Sequence, residues 1–162
     1  MLFNKDFSFQ IESPVKGSRE EIWRHITQMK NVNAELRPYA KMTFPADKAE
    51  LDKRELPVNE TLFVSVILLF GFIPADLHYL KFDRLETGYA FYENSTTVTH
   101  RYWKHTRSII EKGNSFLVRD EVHFEPRVPI IGYLMLPLYK TIFKNRHRKL
   151  TASLLPPTIA QL

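Results

Sequence analysis

Apolar and polar positions alternate with a period of two over most of the chain, and a three-to-four-residue period interrupts them near each end. Phe7, Phe9 and Ile11 share one parity, which predicts a strand over residues 3–11. In "GSREEIWRHITQM" the spacing becomes helical: Ile22, Trp23, Ile26 and Met29 form a stripe. Ser18, with Glu21 three residues on, has the form of a capping box. "NVNAELRP" predicts a second short helix or turn stopped by Pro38, and residues 39–44 a second strand. Residues 45–60 are highly charged and read as a loop or a short exposed helix. Strands then follow over 61–72, 77–86, 89–93, 101–110 and 116–125, with turns at "GFIPAD", "TG" and "KG". After Pro126 and Pro129 the helical period returns in Ile131, Leu134, Met135, Leu138, Ile142, Phe143, Leu150 and Leu154. It predicts one long helix of roughly 20 residues or more, with a kink or delayed start at Pro137 and a stop at Pro156 and Pro157. With no repeat and no linker, residues 1–162 read as a single α+β domain. Such a sheet must bury one face, and the long helix is its natural cover.

The stretch "RYWKHTRSII" poses a problem of burial. Trp103 marks the inner face, yet Arg101, His105 and Arg107 share its parity with Ile109. A hairpin turning at Lys112 and Gly113 pairs Ile109 with Phe116, Arg107 with Val118, His105 with Asp120, Trp103 with Val122 and Arg101 with Phe124. The outer face then pairs Lys104 with Glu121 and Thr106 with Arg119. A carboxylate across from a buried histidine lowers the cost of burying either group. The cluster His105, Asp120 and Arg107 has three readings. It can be a structural network that fixes register, or an anchor for a ligand head group. It can also be a catalytic set, with His105 and Asp120 as general base and Arg107 stabilising an enolate or oxyanion.

Other candidates narrow the field. His100 and His123 take the outer parity of Tyr102, so they do not converge with His105, and neither a metal site nor a cofactor is expected. No GxSxG and no glycine-rich phosphate loop occurs among the five glycines. Phe70, Phe72 and Ile73 form either an exposed apolar lip at a cavity mouth or buried strand ends. Tyr89 and Phe91 share one face of their strand, and Tyr139 and Arg146 can reach inward from the helix.

Composition adds limits rather than a function. The 162 residues are 44% hydrophobic and 13% aromatic, enough for a packed core or a roomy apolar pocket. The absence of cysteine excludes disulfides, thiolate metal sites and cysteine nucleophiles, and fits a reducing cytoplasm. The net charge of +5 gathers partly in "YKTIFKNRHRKL", a solvated helix face that can also meet an anionic membrane transiently. No nucleic-acid signature accompanies it, so no nucleic-acid partner is expected. The N-terminal segment carries charges unlike a signal peptide. "LFVSVILLFGFIPA" and "VPIIGYLMLPLY" fall short of the roughly 20 residues that span a bilayer. A soluble, cytoplasmic protein is expected.

Four stretches together resemble the START/birch-pollen-allergen superfamily: "FSFQIESPVKGSREEIWRHITQMKNVNAELRP", "FGFIPADLHYLKF", "WKHTRSIIEKGNSFLVRDEVHFEP" and "LPLYKTIFKNRHRKL". Within it they look like the bacterial ligand-binding proteins grouped with polyketide cyclases. The Trp103, His105, Arg107 and Asp120 pattern, followed by Phe143, Arg146 and Leu150, is the most specific part. The resemblance implies a helix-grip fold: a curved antiparallel sheet of about seven strands around a long C-terminal helix, with short helices after strand one and a deep apolar cavity. Members bind lipids, sterols, hormones or polyketides, and some cyclise or dehydrate aromatic substrates. The expected partner is therefore a small apolar ligand. Its contacts would be Trp103, His105, Arg107, Phe116, Val118, Asp120, Val122, Leu138 and Ile142. A cyclase or dehydratase using His105, Asp120 and Arg107, and a membrane- or protein-docking module, are the alternatives. The oligomeric state, monomer or dimer, stays open.

Overall fold

Seven strands form one antiparallel sheet in the order β1-β7-β6-β5-β4-β3-β2, and a helix of 25 residues lies against it. The strands are β1 (Phe7–Val15), β2 (Ala40–Met42), β3 (Thr61–Leu69), β4 (Ile73–Glu86), β5 (Ala90–Thr97), β6 (His100–Lys112) and β7 (Ser115–Pro126). Two short helices, α1 (Arg19–Ile26) and α2 (Met29–Leu36), connect β1 to β2, and α3 (Pro129–Ser153) ends the chain. This is the helix-grip architecture. The computed structural model describes residues 5–52 and 55–154. The expected strand start at residues 3 and 4 and the stop at Pro156 and Pro157 lie outside those residues.

Local chemistry starts and stops the helices as the sequence suggests. The Ser18 hydroxyl accepts from the Glu21 amide at 3.2 Å, and the Glu21 carboxylate accepts from the Ser18 amide at 2.7 Å. α1 buries Ile22, Trp23 and Ile26 against Val15, Ile109, Val118 and Leu150. The Asn33 side chain clamps β2 through both Met42 backbone groups, at 2.8 and 2.9 Å. Asn145 of α3 donates to the carbonyls of Glu35 and Arg37, at 3.0 and 2.8 Å, and so ties the two helices together.

α3 is one element that starts at Pro129 and runs through Pro137. Gly132 is the residue that lets it approach the sheet: a Cβ there would stand 2.1 Å from the Phe7 ring. The apolar stripe of α3 is only partly covered. Ile142, Phe143 and Leu150 are buried, but Ile131, Leu134 and Leu138 are exposed.

The β6–β7 hairpin differs from expectation in register, though not in face. Its loop is Gly113 and Asn114, with Lys112 paired to Ser115, and Gly113 takes the positive φ of +61° at the first loop position, where glycine serves best. The pairing shifts by two residues: Arg107 faces Asp120, His105 faces Val122, Trp103 faces Phe124 and Ile109 faces Val118. A shift of two preserves side-chain parity, so the inner set survives. On the outer face Lys104 meets His123 and Thr106 meets Glu121.

A bulge between His100 and Tyr102 overturns two further expectations. It turns His100 into the interior, and it leaves Arg101 exposed against Glu125 at 3.3 Å. His123 stays outside, as parity predicts.

Candidate functional site

A cavity of about 260 Å3 lies between the inner face of the sheet, α2 and α3. A void of that size is far larger than those a well-packed core leaves. Its wall is mostly apolar, including Met29, Leu36, Met42, Leu80, Phe82 and Ile142. Ala75 beside the turn of the β3–β4 hairpin and Leu138 of α3 line the cavity and are both exposed, so it opens to solvent between them. Phe70 and Phe72 at the tip of that hairpin are 63% and 73% exposed, and Leu134 on the helix is 75% exposed. Phe70, Phe72 and Ile73 thus form an exposed lip rather than buried strand ends.

Four of the residues expected to contact a ligand line this cavity: Trp103, His105, Leu138 and Ile142. Arg107, Phe116, Val118, Asp120 and Val122 do not. Val118 and Phe116 pack with the α1 cluster, and Val122 packs among Phe9, Phe124 and Phe143. Parity marked all of them as inner-facing, but the inner face of a curved sheet also serves α1 and the middle of α3. Tyr139, Arg146 and Phe91 do line the cavity, whereas Tyr89 is exposed.

Arg107 and Asp120 form the centre of a buried polar network behind the cavity wall. The Arg107 guanidinium donates from Nε and Nη2 to the two oxygens of Asp120, both at 2.8 Å, and neither residue is accessible. His105 Nε2 reaches Asp120 Oδ1 at 2.8 Å, and His147 Nε2 reaches Oδ2 at 2.8 Å. Asp120 therefore holds four partners, the full capacity of a carboxylate. Arg107 Nη1 also donates to Glu35 on α2 at 3.0 Å, and Arg146 Nε donates to the same Glu35 oxygen at 3.2 Å. Glu93, directly opposite His105 on β5, lies 3.4 Å from its Nδ1. Glu93 also accepts from Ser95 at 2.7 Å and meets His78 Nε2 at 2.5 Å.

The network pairs buried cations with buried carboxylates. Burial opposes ionisation of Asp120, but Arg107 and His105 outweigh it and hold the carboxyl well below the usual range. Burial likewise opposes ionisation of Glu93, and His78 and His105 overcome it, so Glu93 is held at about 2. For His105, burial favours the neutral ring, but the Asp120 charge and hydrogen bonds to Asp120 and Glu93 raise its pKa. Both its ring nitrogens face carboxylates, which only accept, so the imidazolium is the form that satisfies them. Arg107, Arg146 and His105 then face the carboxylates of Glu35, Asp120 and Glu93. His105 touches the cavity, but both of its nitrogens are already engaged.

A second polar cluster reaches the cavity near the mouth. Asp76, Thr97, Thr99, His100 and Tyr139 all line it. Thr99 donates to Asp76 through both its hydroxyl and, at 3.2 Å, its amide. His100 Nδ1 lies 2.8 Å from the Thr99 hydroxyl and 3.1 Å from that of Thr97. His100 Nε2 lies 3.1 Å from the Tyr139 hydroxyl, which is also 3.3 Å from Met135 Sδ. Burial would raise the pKa of Asp76, but hydrogen bonds from His100, Thr99 and Thr97 hold it far below the carboxylate range. Burial and the Asp76 charge raise that of Tyr139, which keeps the phenol protonated.

Sequence reasoning placed His105, Asp120 and Arg107 together but missed their partners. Glu93 shares the inner parity of Phe91 on β5, and His78 that of Leu80 and Phe82 on β4, so both were readable. His147 stands four residues after Phe143 and three before Leu150, on the buried stripe of α3. Glu35 carries no such signal, since only the packing of α2 on α3 brings it to Arg107. Among the described residues no group of three or more histidine, aspartate or glutamate side chains is arranged to hold a metal ion, and no helix is long and apolar enough to cross a membrane.

Solved structures share this arrangement at low sequence identity. A protein from Chromobacterium violaceum superposes with a TM-score of 0.67 at 12% identity, covering 92% of this chain and 98% of that one. Truncated norcoclaurine synthase from Thalictrum flavum gives 0.64 at 12%, covering 96% and 97%. A START superfamily protein from Mycobacterium smegmatis gives 0.59 at 12%, covering 92% and 96%. No curated protein matches the sequence. The fold is thus that of the START/birch-pollen-allergen superfamily. Residues 13–154 match the family described as Domain of unknown function (DUF8410), and the chain belongs to that family.

Proposed function

We propose that this protein binds a small, mainly apolar ligand in the cavity between the sheet and α3. The observation that carries the reading is the cavity itself: about 260 Å3, mostly apolar in its wall, with a few polar groups at defined points. Trp103, Leu138 and Ile142 supply apolar contact, and the polar cluster of Asp76, Thr99, His100 and Tyr139 orients the ligand. We read Arg107 and Asp120 as structural, because their hydrogen-bonding capacity is committed within the protein. Neighbours of the same fold support a small-molecule role, one of them being a norcoclaurine synthase variant complexed with a transition-state analogue.

The test is native mass spectrometry after incubation with mixed fatty acids, sterols and aromatic polyketides. Ala75 lines the cavity yet is exposed, so Ala75→Trp plugs the mouth without disturbing the core. A stoichiometric apolar adduct on the parent, lost in Ala75→Trp, supports the reading. No adduct from any mixture refutes it.

The exposed rim favours a second element of function, loading at an anionic membrane surface. Phe70, Phe72, Ile73 and Leu134 project at the mouth, and exposed Arg37 and Lys41 border the same shallow surface pocket as Phe70. The expectation is flotation with phosphatidylglycerol-containing vesicles that is lost in Phe70→Ser/Phe72→Ser. Equal flotation of parent and variant removes this element and leaves the cavity reading intact.

A further inference from the structure

The second polar cluster has a direction, which follows from counting hydrogens. An ionised Asp76 only accepts, so the single hydroxyl proton of Thr99 is committed to it. The Thr99 oxygen must then accept from His100 Nδ1, which therefore carries the ring proton of a neutral imidazole. His100 Nε2 is left as an acceptor, and the group in reach is the Tyr139 hydroxyl at 3.1 Å. The chain ends at Tyr139, a residue of the cavity wall. Unlike the network around Asp120, this chain has a terminal group that can exchange its partner.

We propose that Tyr139 and His100 form the recognition site for a carbonyl oxygen on the cavity ligand, and that binding such a ligand draws a proton onto His100. This inference rests on the ligand-binding reading above and names the chemistry the cavity selects. Tyr139 has one hydrogen, and His100 Nε2 at 3.1 Å is a stronger acceptor for it than the Met135 sulfur at 3.3 Å. If it turns to a ligand carbonyl, His100 Nε2 is left as a buried acceptor with no donor, which is unfavourable. Protonation of Nε2 removes the deficit: the new N–H donates to the Tyr139 oxygen, while Nδ1–H still donates to Thr99. The resulting imidazolium stands 3.7 Å from the Asp76 carboxylate, so its charge is countered within the cluster. No bond between heavy atoms forms or breaks, and the proton comes from solvent.

An alcohol behaves differently at the same point. It donates to a lone pair of the Tyr139 oxygen and leaves the Tyr139–His100 bond in place, so it needs no proton. The site therefore separates ketones from alcohols of one shape by the protons they take up. The charged and titratable groups on the surrounding elements are Asp76 and His78 on β4, Glu93 on β5, Arg101 on β6, Glu125 and Arg127 at the end of β7, and Tyr139 on α3. Of these, Asp76 and Tyr139 contact the imidazole, and Arg127 is engaged with the carbonyls of Thr97 and Val98.

Menthone and menthol test the idea, being a ketone and an alcohol on one compact apolar skeleton. Titration calorimetry in phosphate and in Tris, whose ionisation enthalpies differ, reads proton uptake directly. The expected result is uptake with menthone and none with menthol, and menthone binding that strengthens as pH is lowered while menthol binding does not. Tyr139→Phe keeps the ring packing and should weaken menthone roughly tenfold, with menthol little changed. His100→Gln should abolish the uptake. If that variant does not fold, the Tyr139→Phe comparison and the uptake by the parent decide the matter alone. Binding of both compounds with no difference in protons overturns the recognition site and leaves the carrier reading standing. Binding of neither, together with no adduct in the mass spectrometry, overturns both.

Discussion

Asp120→Asn is the substitution that most directly probes the buried network. The side chain keeps its shape but loses its charge and one acceptor. In the parent, its oxygens receive Arg107 Nε, Arg107 Nη2, His105 Nε2 and His147 Nε2, each at 2.8 Å. The asparagine carbonyl can retain the pair on Oδ1. Its amide would then point donor against donor at Arg107 Nη2. Arg107 keeps Glu35 at 3.0 Å, but Arg146 draws on that same oxygen, so one carboxylate is left to serve two guanidiniums. Removing one partner from a buried ion pair costs about 3–5 kcal/mol. For a domain of this size, each kcal/mol lowers the melting temperature by roughly 2–4 °C, so a fall of about 6–20 °C is expected. Far-UV circular dichroism melts and urea titrations would measure it. Glu12→Gln is the control: it breaks the Arg119–Glu12 bridge of 3.0 Å between adjacent strands, but both side chains are partly exposed, so at most about 1 kcal/mol is expected. If Asp120→Asn melts within about 2 °C of the parent, or costs no more than Glu12→Gln, burial does not give this network its strength and the reasoning fails.

Two further outcomes follow from the same structure. Glu93 is held at about 2, below its ordinary 4.5, so its contribution is present above pH 4.5 and lost as pH falls towards 2. His105 is raised above 6.5, so its contribution is complete below 6.5 and lost as pH rises through its folded value. Urea midpoints should therefore peak in weakly acidic solution, and a midpoint that climbs steadily from pH 5 to 9 would contradict the protonated His105. Gly132→Ala should destabilise by roughly 1–3 kcal/mol although alanine is the better helix former by about 1 kcal/mol, because the new methyl meets the Phe7 ring at 2.1 Å. Equilibrium denaturation that finds the alanine variant more stable would show that α3 can move off β1 without penalty.

Much of the fold was legible because period and parity are local properties. The capping box at Ser18, the strand sequence and the long helix follow from residues within a few positions of one another. The β6–β7 register differs by two from the one a Lys112–Gly113 turn predicts, because the turn is Gly113–Asn114, and parity is the same in both registers. His100 was assigned outward because a bulge resets parity, and nothing in "THRYW" announces one. The cavity was expected from the family resemblance, but its wall was not assignable. Which inner-facing residues meet α1, α3 or empty space depends on how the sheet curves, and that is a tertiary property.

The two polar clusters divide the interior by a single criterion, whether the hydrogen-bonding capacity is closed. Around Asp120 every strong group ends on another group of the protein: four donors on one carboxylate, two guanidiniums on Glu35, and carboxylates on both sides of His105. A ligand that entered there would have to break hydrogen bonds between paired, buried charges, which is costly. The Asp76–Thr99–His100–Tyr139 chain is closed at the carboxylate and open at the phenol, where Met135 Sδ is the other group in reach. A ligand carbonyl competes there with His100 Nε2 for the single hydrogen of the phenol. Sequence inspection drew attention to the cluster richest in charge, His105, Arg107 and Asp120. Saturation is the reason that cluster belongs to the scaffold, and the open end at Tyr139 is the reason recognition is better sought on the opposite strand end.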